Sequence, residues 1–390
     1  LFNNKHNFLP SSAIGKSTGF EEKSKLQRRY SPARIRGIYS QFFENLFSNY
    51  SKKEHVTAAA FIRNVLSFDT ENDANALFLK SGFLGSSFSV ERPEIFSKVK
   101  NHFSLWKDGF GGGLIISGGH LSGRSTILEM LPISYPEVIS YHVIPGQKID
   151  VNGHKRSMSY DLIDTLNFIL KYKGSDKCMV TIDDIDYYAK HPEDTFELFR
   201  QLNRIVSKHS KKVYFAVVIH KYLHTKLDHY FELSNIYTES VNTDFMTTDQ
   251  IQDAVLTRAH AVVNNDDMEA ETETLATISR KVAKKSSGNI GKGMQLWCMY
   301  TNGNYSFDMS RSQFRRLVET HHSLLRLLVM HGWVSEPEIR KMFNSIDSSE
   351  IREAIKGLVQ IHLLYRPSEG LIAINPYLLV FVEGVLNRLR

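Results

Sequence analysis

The residues best suited to chemistry lie in the run Gly118-Gly119-His120-Leu121-Ser122-Gly123-Arg124-Ser125, followed by Thr126. Its frame is G-x-x-x-x-G-[K]-[ST], with Arg124 at the position usually held by lysine. Glycines at this spacing let successive backbone N–H groups curl around phosphate oxygens, and a helix starting at Arg124 adds the positive end of its dipole. The Ser125 hydroxyl is of the kind that holds Mg²⁺. Arg124 keeps the cation but replaces a compact ammonium with a wide planar fork. Phosphate binding tolerates that exchange, because backbone N–H groups supply much of the contact. Stabilisation of a transferring γ-phosphate is the step expected to weaken. A glycine-rich turn with no ligand is the bland alternative.

A second run, Lys177-Cys178-Met179-Val180-Thr181-Ile182-Asp183-Asp184, is an apolar strand ending in two carboxylates. Below a P-loop, such a strand places Asp183 to hold Mg²⁺, directly or through water. Asp184 then stands where a carboxylate orients or deprotonates an attacking water. A solvated strand end has the same appearance, so the preceding P-loop gives this run its meaning. Asp186 reads as a helix cap or a surface charge.

These residues need a sheet to position them. Short apolar runs at Leu114–Ser117, Val138–Ile144, Cys178–Ile182, Val213–Ile219 and Ile236–Val241 alternate with helical patterns starting at Arg124, around Tyr160–Tyr172 and around Thr195–Lys208. Apolar strands separated by helices imply a parallel sheet covered on both faces. The fold class is therefore α/β, a five-stranded P-loop NTPase sheet. Beyond Asp244 the pattern is helical over Thr248–Val263 and Thr272–Lys285, joined by an acidic loop at Asn264–Glu269. Gly288–Gly293 breaks it before a helix at Met294–Tyr300. Helices at Ser312–His331, Glu336–Phe343 and Ser349–Ile361, a hairpin over Leu363–Ile374 turning at Ser368–Gly370, and a closing helix over Pro376–Leu389 give the order of a winged helix. The expected division is a basic arm and helical region over 1–88, the NTPase core over 89–243, a helical lid over 244–305 and a winged-helix-like domain over 306–390. Helical patterns are expected over Ser31–Phe68 and, after Pro93, over Glu94–Lys107 at the start of the core.

The P-loop, the Asp183-Asp184 strand end, the following strand and the helical region resemble AAA+ ATPases and their STAND and origin-recognition-like relatives. The resemblance covers roughly residues 90–305, and the tail matches the carboxy-terminal module many of them carry. It implies ATP and Mg²⁺ as cofactors; adenine over guanine rests wholly on it. It puts His220 where a polar residue reads the γ-phosphate, although a strand-end histidine looks the same. The helix with Arg258 and the turn Gly288-Asn289-Ile290-Gly291-Lys292-Gly293 resemble the lid. Lys292 is then the candidate lid cation, a loop lysine being the plainer reading. Glu91-Arg92-Pro93 resembles the short lead-in that packs near adenine; as chemistry it is only a helix start. Ring-forming relatives place an arginine finger between His220 and Ile236, where this chain has Lys221 and Lys226 but no arginine. Arg200 and Arg204 are weak substitutes. Together with Arg124, this points to slow ATP hydrolysis and a switch rather than a motor.

Bulk composition narrows the remainder. At 390 residues with 42% hydrophobic and 23% charged residues, the chain reads as a multi-domain globular protein. No apolar run approaches the roughly 20 residues of a membrane span, and Leu1–Pro10 has no secretory pattern. Cys178 and Cys298 sit among apolar neighbours, which argues against a disulfide scaffold or zinc site and for a cytoplasmic location. Membrane association is an alternative should the sequence, which opens on Leu1, be part of a longer one. Residues 1–60 hold ten Lys/Arg against four Asp/Glu, which is the whole of the net +6, so the remainder is balanced. That segment could meet anionic lipid or nucleic acid, or could simply solvate a helix carrying Lys23, Lys25, Arg28 and Arg29. In the tail, Arg352 and Lys356 stand beside Glu350 and Glu353, a mixed face that suits a protein partner better than DNA. Three functions follow: an ATP-binding regulatory switch or scaffold, a DNA-binding ATPase of replication-initiator or transposition-regulator type, and a nucleotide-free structural module with a vestigial P-loop. The oligomeric state is not written in the sequence.

Overall fold

A computed structural model describes residues 52–66, 73–79, 84–144, 147–158, 161–183, 185–189, 194–262, 268–301, 307–343, 348–368 and 370–389. The basic arm over 1–51, Asp184 and most of the acidic loop after residue 262 lie outside them. In chain order the elements are α1 (Lys52–Leu66), α2 (Asp73–Leu79), α3 (Pro93–Lys107), β1 (Gly113–Gly118), α4 (Arg124–Ser134), β2 (Ile139–Val143), β3 (Lys148–Val151), β4 (His154–Ser157), α5 (Leu162–Tyr172), β5 (Cys178–Ile182) and α6 (Asp194–His209). There follow β6 (Val213–His220), α7 (Lys221–Phe231), β7 (Glu239–Asn242), α8 (Thr248–His260), α9 (Met268–Ser286), α10 (Ile290–Thr301), α11 (Phe307–Thr320), α12 (His322–His331), β8 (Trp333–Ser335), α13 (Glu336–Met342), α14 (Ser348–Gln360), β9 (Leu364–Tyr365), β10 (Leu371–Ile374) and α15 (Pro376–Leu386). Contacts divide the chain into two units, Lys80–Met294 and Leu1–Leu79 with Gln295–Arg390.

The first unit is built on a five-stranded sheet in the order β2-β5-β6-β1-β7, parallel throughout. Every residue of β1, β5 and β6 is buried, which is why those strands read as continuous apolar runs rather than alternating ones. On one face, Val99, Phe103 and Trp106 of α3 and Ile127, Leu128 and Leu131 of α4 pack against Leu114, Ile116, Met179, Tyr214, Ala216 and Val218. Elsewhere α5 packs on α6, and α6 and α7 pack on β6. The register sets Gly118 level with His220 and Ser117 level with Asn242. The carboxyl ends of β1, β6 and β7 therefore meet at one rim of the sheet, where open α/β sheets bind ligands. This is the α/β P-loop NTPase fold expected from the sequence.

Three local features differ from the sequence reading. A hairpin, β3–β4, follows β2; its turn is Asn152-Gly153, both left-handed at φ 51° and 85°, the strongest short hairpin signal a sequence carries. Helix α7 fills the stretch after His220, and β7 is confined to Glu239–Asn242. Helix α10 starts at Ile290, so Gly291, Lys292 and Gly293 are helical rather than part of the break. The Asn289 side chain accepts the Lys292 N–H at 2.9 Å, the hydrogen bond of an N-cap, and this moves the helix start forward.

In the second unit the tail runs helix, strand, two helices and hairpin, the winged-helix order, with β8, β10 and β9 forming a three-stranded antiparallel sheet. The sequence reading has one helix over Ser312–His331; two are found, α11 and α12, separated at His321. Ser335 and Glu338 close a capping box at the start of α13. Helix α1 lies against α11 and α15, with Phe61 4.5 Å from the Phe314 ring and 5.6 Å from Phe381.

Candidate functional site

The P-loop leaves β1 at Gly118 and enters α4 at Arg124. Gly118 admits no side chain: a Cβ there would lie 2.1 Å from Thr243 Oγ1 and 2.5 Å from Ser122 Oγ. Those two hydroxyls are 2.6 Å apart, and Ser122 Oγ also donates to the Gly119 carbonyl at 2.8 Å. The loop is thus folded back on the end of β7. Leu121 and Gly123 take left-handed conformations, φ 54° and 90°. Gly123 is the N-cap of α4 and contributes no side-chain bond, so the first-turn N–H groups have no intrahelical acceptor and are available to an anion.

Arg124 begins α4 and is buried. Ser125 and Thr126, half-buried, complete the first turn. Ser125 Oγ donates to Asp183 Oδ1 at 3.1 Å, bringing together the two groups expected to hold Mg²⁺ although they are 58 residues apart. A hydroxyl and a carboxylate form a hard-oxygen pair of the kind that cation takes alongside phosphate oxygens. His220 closes β6 and caps α7, its Nδ1 accepting the Tyr222 N–H at 3.3 Å. Lys292 is buried in the first turn of α10. The segment before it touches the loop directly: Asn289 Nδ2 donates to the His120 carbonyl at 2.9 Å and Gly291 N–H to the Leu121 carbonyl at 3.1 Å. Asp184 lies outside the described residues.

Two groups that the sequence reading set aside or passed over hold this loop in place. Arg92, at the start of α3, is buried and donates to the Ser122 carbonyl at 3.2 Å and the Thr243 carbonyl at 2.9 Å. Burial lowers its pKa to about 10, against the opposing pull of Asp244, so it remains a cation at neutral pH. Asp244, just past β7, accepts the Gly119 N–H on one carboxylate oxygen and pairs with Lys221 Nζ at 2.7 Å on the other. The sequence signal for Arg92 was the Glu91-Arg92-Pro93 lead-in. Asp244 has no local signal, because its partners come from Gly119 and Lys221. Nearby, Arg258 on α8 lies 6.0 Å from the Phe88 ring, and burial lowers its pKa to about 10. Cys178 and Cys298 are buried, free thiols pushed up to about 11 and about 12 by desolvation, hence unreactive.

Among the described residues, no helix is long and apolar enough to cross a membrane, and no group of three or more His, Cys, Asp or Glu is placed to hold a metal. The chain matches no family profile. It matches no curated protein. It is similar to solved structures at low identity. One is the Aeropyrum pernix ORC1 protein in complex with DNA, 13% identical with a TM-score of 0.42, covering 80% of this chain and 96% of that one. A second is the Aeropyrum pernix ORC2 protein in ADPNP–ADP complexes, 12% identical with a TM-score of 0.40, covering 80% and 97%. A third is Cdc6p from Pyrobaculum aerophilum, 13% identical with a TM-score of 0.39, covering 81% and 97%.

Proposed function

We propose that the chain is an ATP-binding regulatory switch of AAA+ or STAND type, with slow hydrolysis. One observation carries the reading: Ser125 and Asp183 are hydrogen-bonded at 3.1 Å at the mouth of a loop whose opening glycine has no room for a side chain. In this reading the N–H groups from Leu121 to Ser125 bind the β- and γ-phosphates, with Arg124 as their cation. Ser125 and Asp183 hold Mg²⁺, which supplies charge neutralisation at the phosphates. Asp184 orients the attacking water, and His220 and Lys292 read the γ-phosphate from the sheet and from the helical lid. Slow turnover follows from Arg124, whose planar fork suits a ground-state phosphate better than a crowded transition state.

The switch needs differential contacts in its two states. Lid residues Asn289 and Gly291 already sit on the loop, so a change there reaches α8–α10 without an intermediary. The tail is proposed to dock a protein. Its Glu336 carboxylate pairs with Arg340 on α13, Arg366 in the hairpin and Arg352 on α14. The bond to Arg340, then that to Arg366, holds Glu336 below the usual carboxylate range despite partial burial. On α14, Arg352 and Lys356 stand beside Glu350 and Glu353, and this mixed face supports a protein partner over a phosphate backbone.

Calorimetric titration of ATP and ADP with Mg²⁺ into wild type and Arg124→Ala tests the reading. Micromolar binding that the variant loses is expected. No heat with either nucleotide, from folded and nucleotide-free protein, would overturn it and leave the vestigial P-loop.

A further inference from the structure

Phosphate binding alone does not require the outer side of the P-loop to be held, yet two successive carbonyls there are each bonded to the segment entering α10. Asn289 Nδ2 donates to His120 O at 2.9 Å and Gly291 N–H to Leu121 O at 3.1 Å. Between them lies Leu121 at φ 54°, a conformation a residue with a side chain keeps only where its surroundings impose it. Gly291 is part of those surroundings. A Cβ at that position would fall 2.2 Å from Leu121 Cβ and 3.0 Å from Leu121 O, so only glycine brings the two backbones this close. The segment is tied in turn to the chain entering the lid, where Met246 N–H donates to Gly288 O at 3.1 Å. That incoming chain also holds Gly119 through Asp244. Both ends of the lid thus grip consecutive P-loop residues, Gly119, His120 and Leu121.

The peptide unit explains what such a grip does. In a planar trans peptide the carbonyl and the N–H point in opposite directions. Fixing His120 O and Leu121 O toward the lid segment turns the N–H groups of Leu121 and Ser122 the other way, to the concave side of the loop. We propose that Asn289 and Gly291 form a latch that aims these two amides at the nucleotide phosphates, with Asn289 as a positioning residue. Nucleotide affinity then depends on how the lid is seated as well as on the Lys292 cation. The inference rests on the nucleotide reading of the site.

Asn289 has two jobs that a substitution separates. Its oxygen caps α10 through Lys292 N–H, and its NH₂ group holds His120 O. Asn289→Asp keeps the cap and removes the donor, setting a carboxylate oxygen against a carbonyl. A purely structural role predicts unchanged nucleotide affinity. The latch predicts affinity for both ATP and ADP weakened about tenfold, the worth of one lost hydrogen bond at a preorganised site. It also predicts faster amide hydrogen exchange over residues 119–125 in the nucleotide-free protein. Gly291→Ala should do the same by driving a methyl into Leu121. Adding Leu121→Gly should rescue it, since that change removes both the obstructing side chain and the left-handed penalty. Lys292→Ala serves as the control, weakening ATP binding without speeding exchange. Unchanged exchange in Asn289→Asp and Gly291→Ala would overturn the latch, and so would faster exchange with unchanged affinity. Faster exchange in a protein whose wild type binds no nucleotide would uphold the latch as a backbone device and overturn the nucleotide reading instead.

Discussion

Arg92 shows how much of this site depends on a residue that touches no expected ligand. Its guanidinium joins the carbonyls of Ser122 and Thr243, one from the P-loop and one from the end of β7. Removing it would leave both carbonyls buried without their donor and Asp244 short of a nearby cation. Two charge-assisted hydrogen bonds of this kind are worth about 3 kcal/mol together, most of it the cost of stranding the acceptors. Arg92→Ala is therefore expected to lower the unfolding free energy by about that amount in urea titrations. It should also weaken nucleotide binding, because Ser122 lies in the loop. A change in stability below about 0.5 kcal/mol would show that water replaces the guanidinium at no cost. The same reasoning separates Arg92 from Arg124. The first is fixed by carbonyls on two elements, whereas the second opens α4 at the end of the glycine-rich loop.

At the scale of elements, one buried histidine and three half-buried ones are held below the ordinary imidazole range by desolvation. His102 on α3 bridges Tyr214 Oη at 3.0 Å and Thr238 Oγ1 at 2.5 Å, tying the helix to β6 and to the approach to β7. His142 on β2 meets Thr181 Oγ1 of β5 at 2.6 Å. Burial lowers the pKa of both; for His102 the Glu239 carboxylate opposes that shift in part. His224 and His362 are lowered for the same reason, with Asp228 opposing at His224. A depressed folded-state pKa means that the unfolded chain takes up the proton first. Their contribution to stability is complete above the unfolded value of about 6.5 and is lost as pH falls toward the folded values. The urea midpoint is expected to drop between pH 7 and pH 5.5, before the carboxylates titrate. A flat midpoint over that window would mean that these rings are reached by water.

For the molecule as a whole, the chain order and the packing order differ. Helix α1 precedes the sheet in sequence but packs with α11 and α15, where Phe61 lies between Phe314 and Phe381. Phe61 is 1% exposed, so truncation to alanine leaves a cavity that its aromatic neighbours fill poorly. Phe61→Ala is expected to destabilise that unit by about 3–4 kcal/mol, read as a lowered thermal transition. Nucleotide affinity should stay within about twofold of wild type, because no site residue belongs to that unit. A large loss of ATP binding in a folded Phe61→Ala protein would show that the two units act on one another.

The sequence alone determined what local chemistry can encode. Continuous apolar runs marked the buried parallel strands, and the glycine spacing marked the turn that joins β1 to α4. The carboxylate closing β5 was legible because it follows an apolar strand, and the winged-helix order because its periods change from helical to alternating. Asn152-Gly153 carried a hairpin signal that went unread, and α7 lay hidden behind a mixed sequence. The sequence could not place Asp244 under Gly119, Arg92 between Ser122 and Thr243, or Asn289 against His120. Each of these bonds joins residues 30 to 169 positions apart. Their partners are backbone groups, which every residue carries alike, so no side-chain pattern announces them. Only the closure of the sheet and the return of the segment entering α10 decided which backbone groups would meet which side chains.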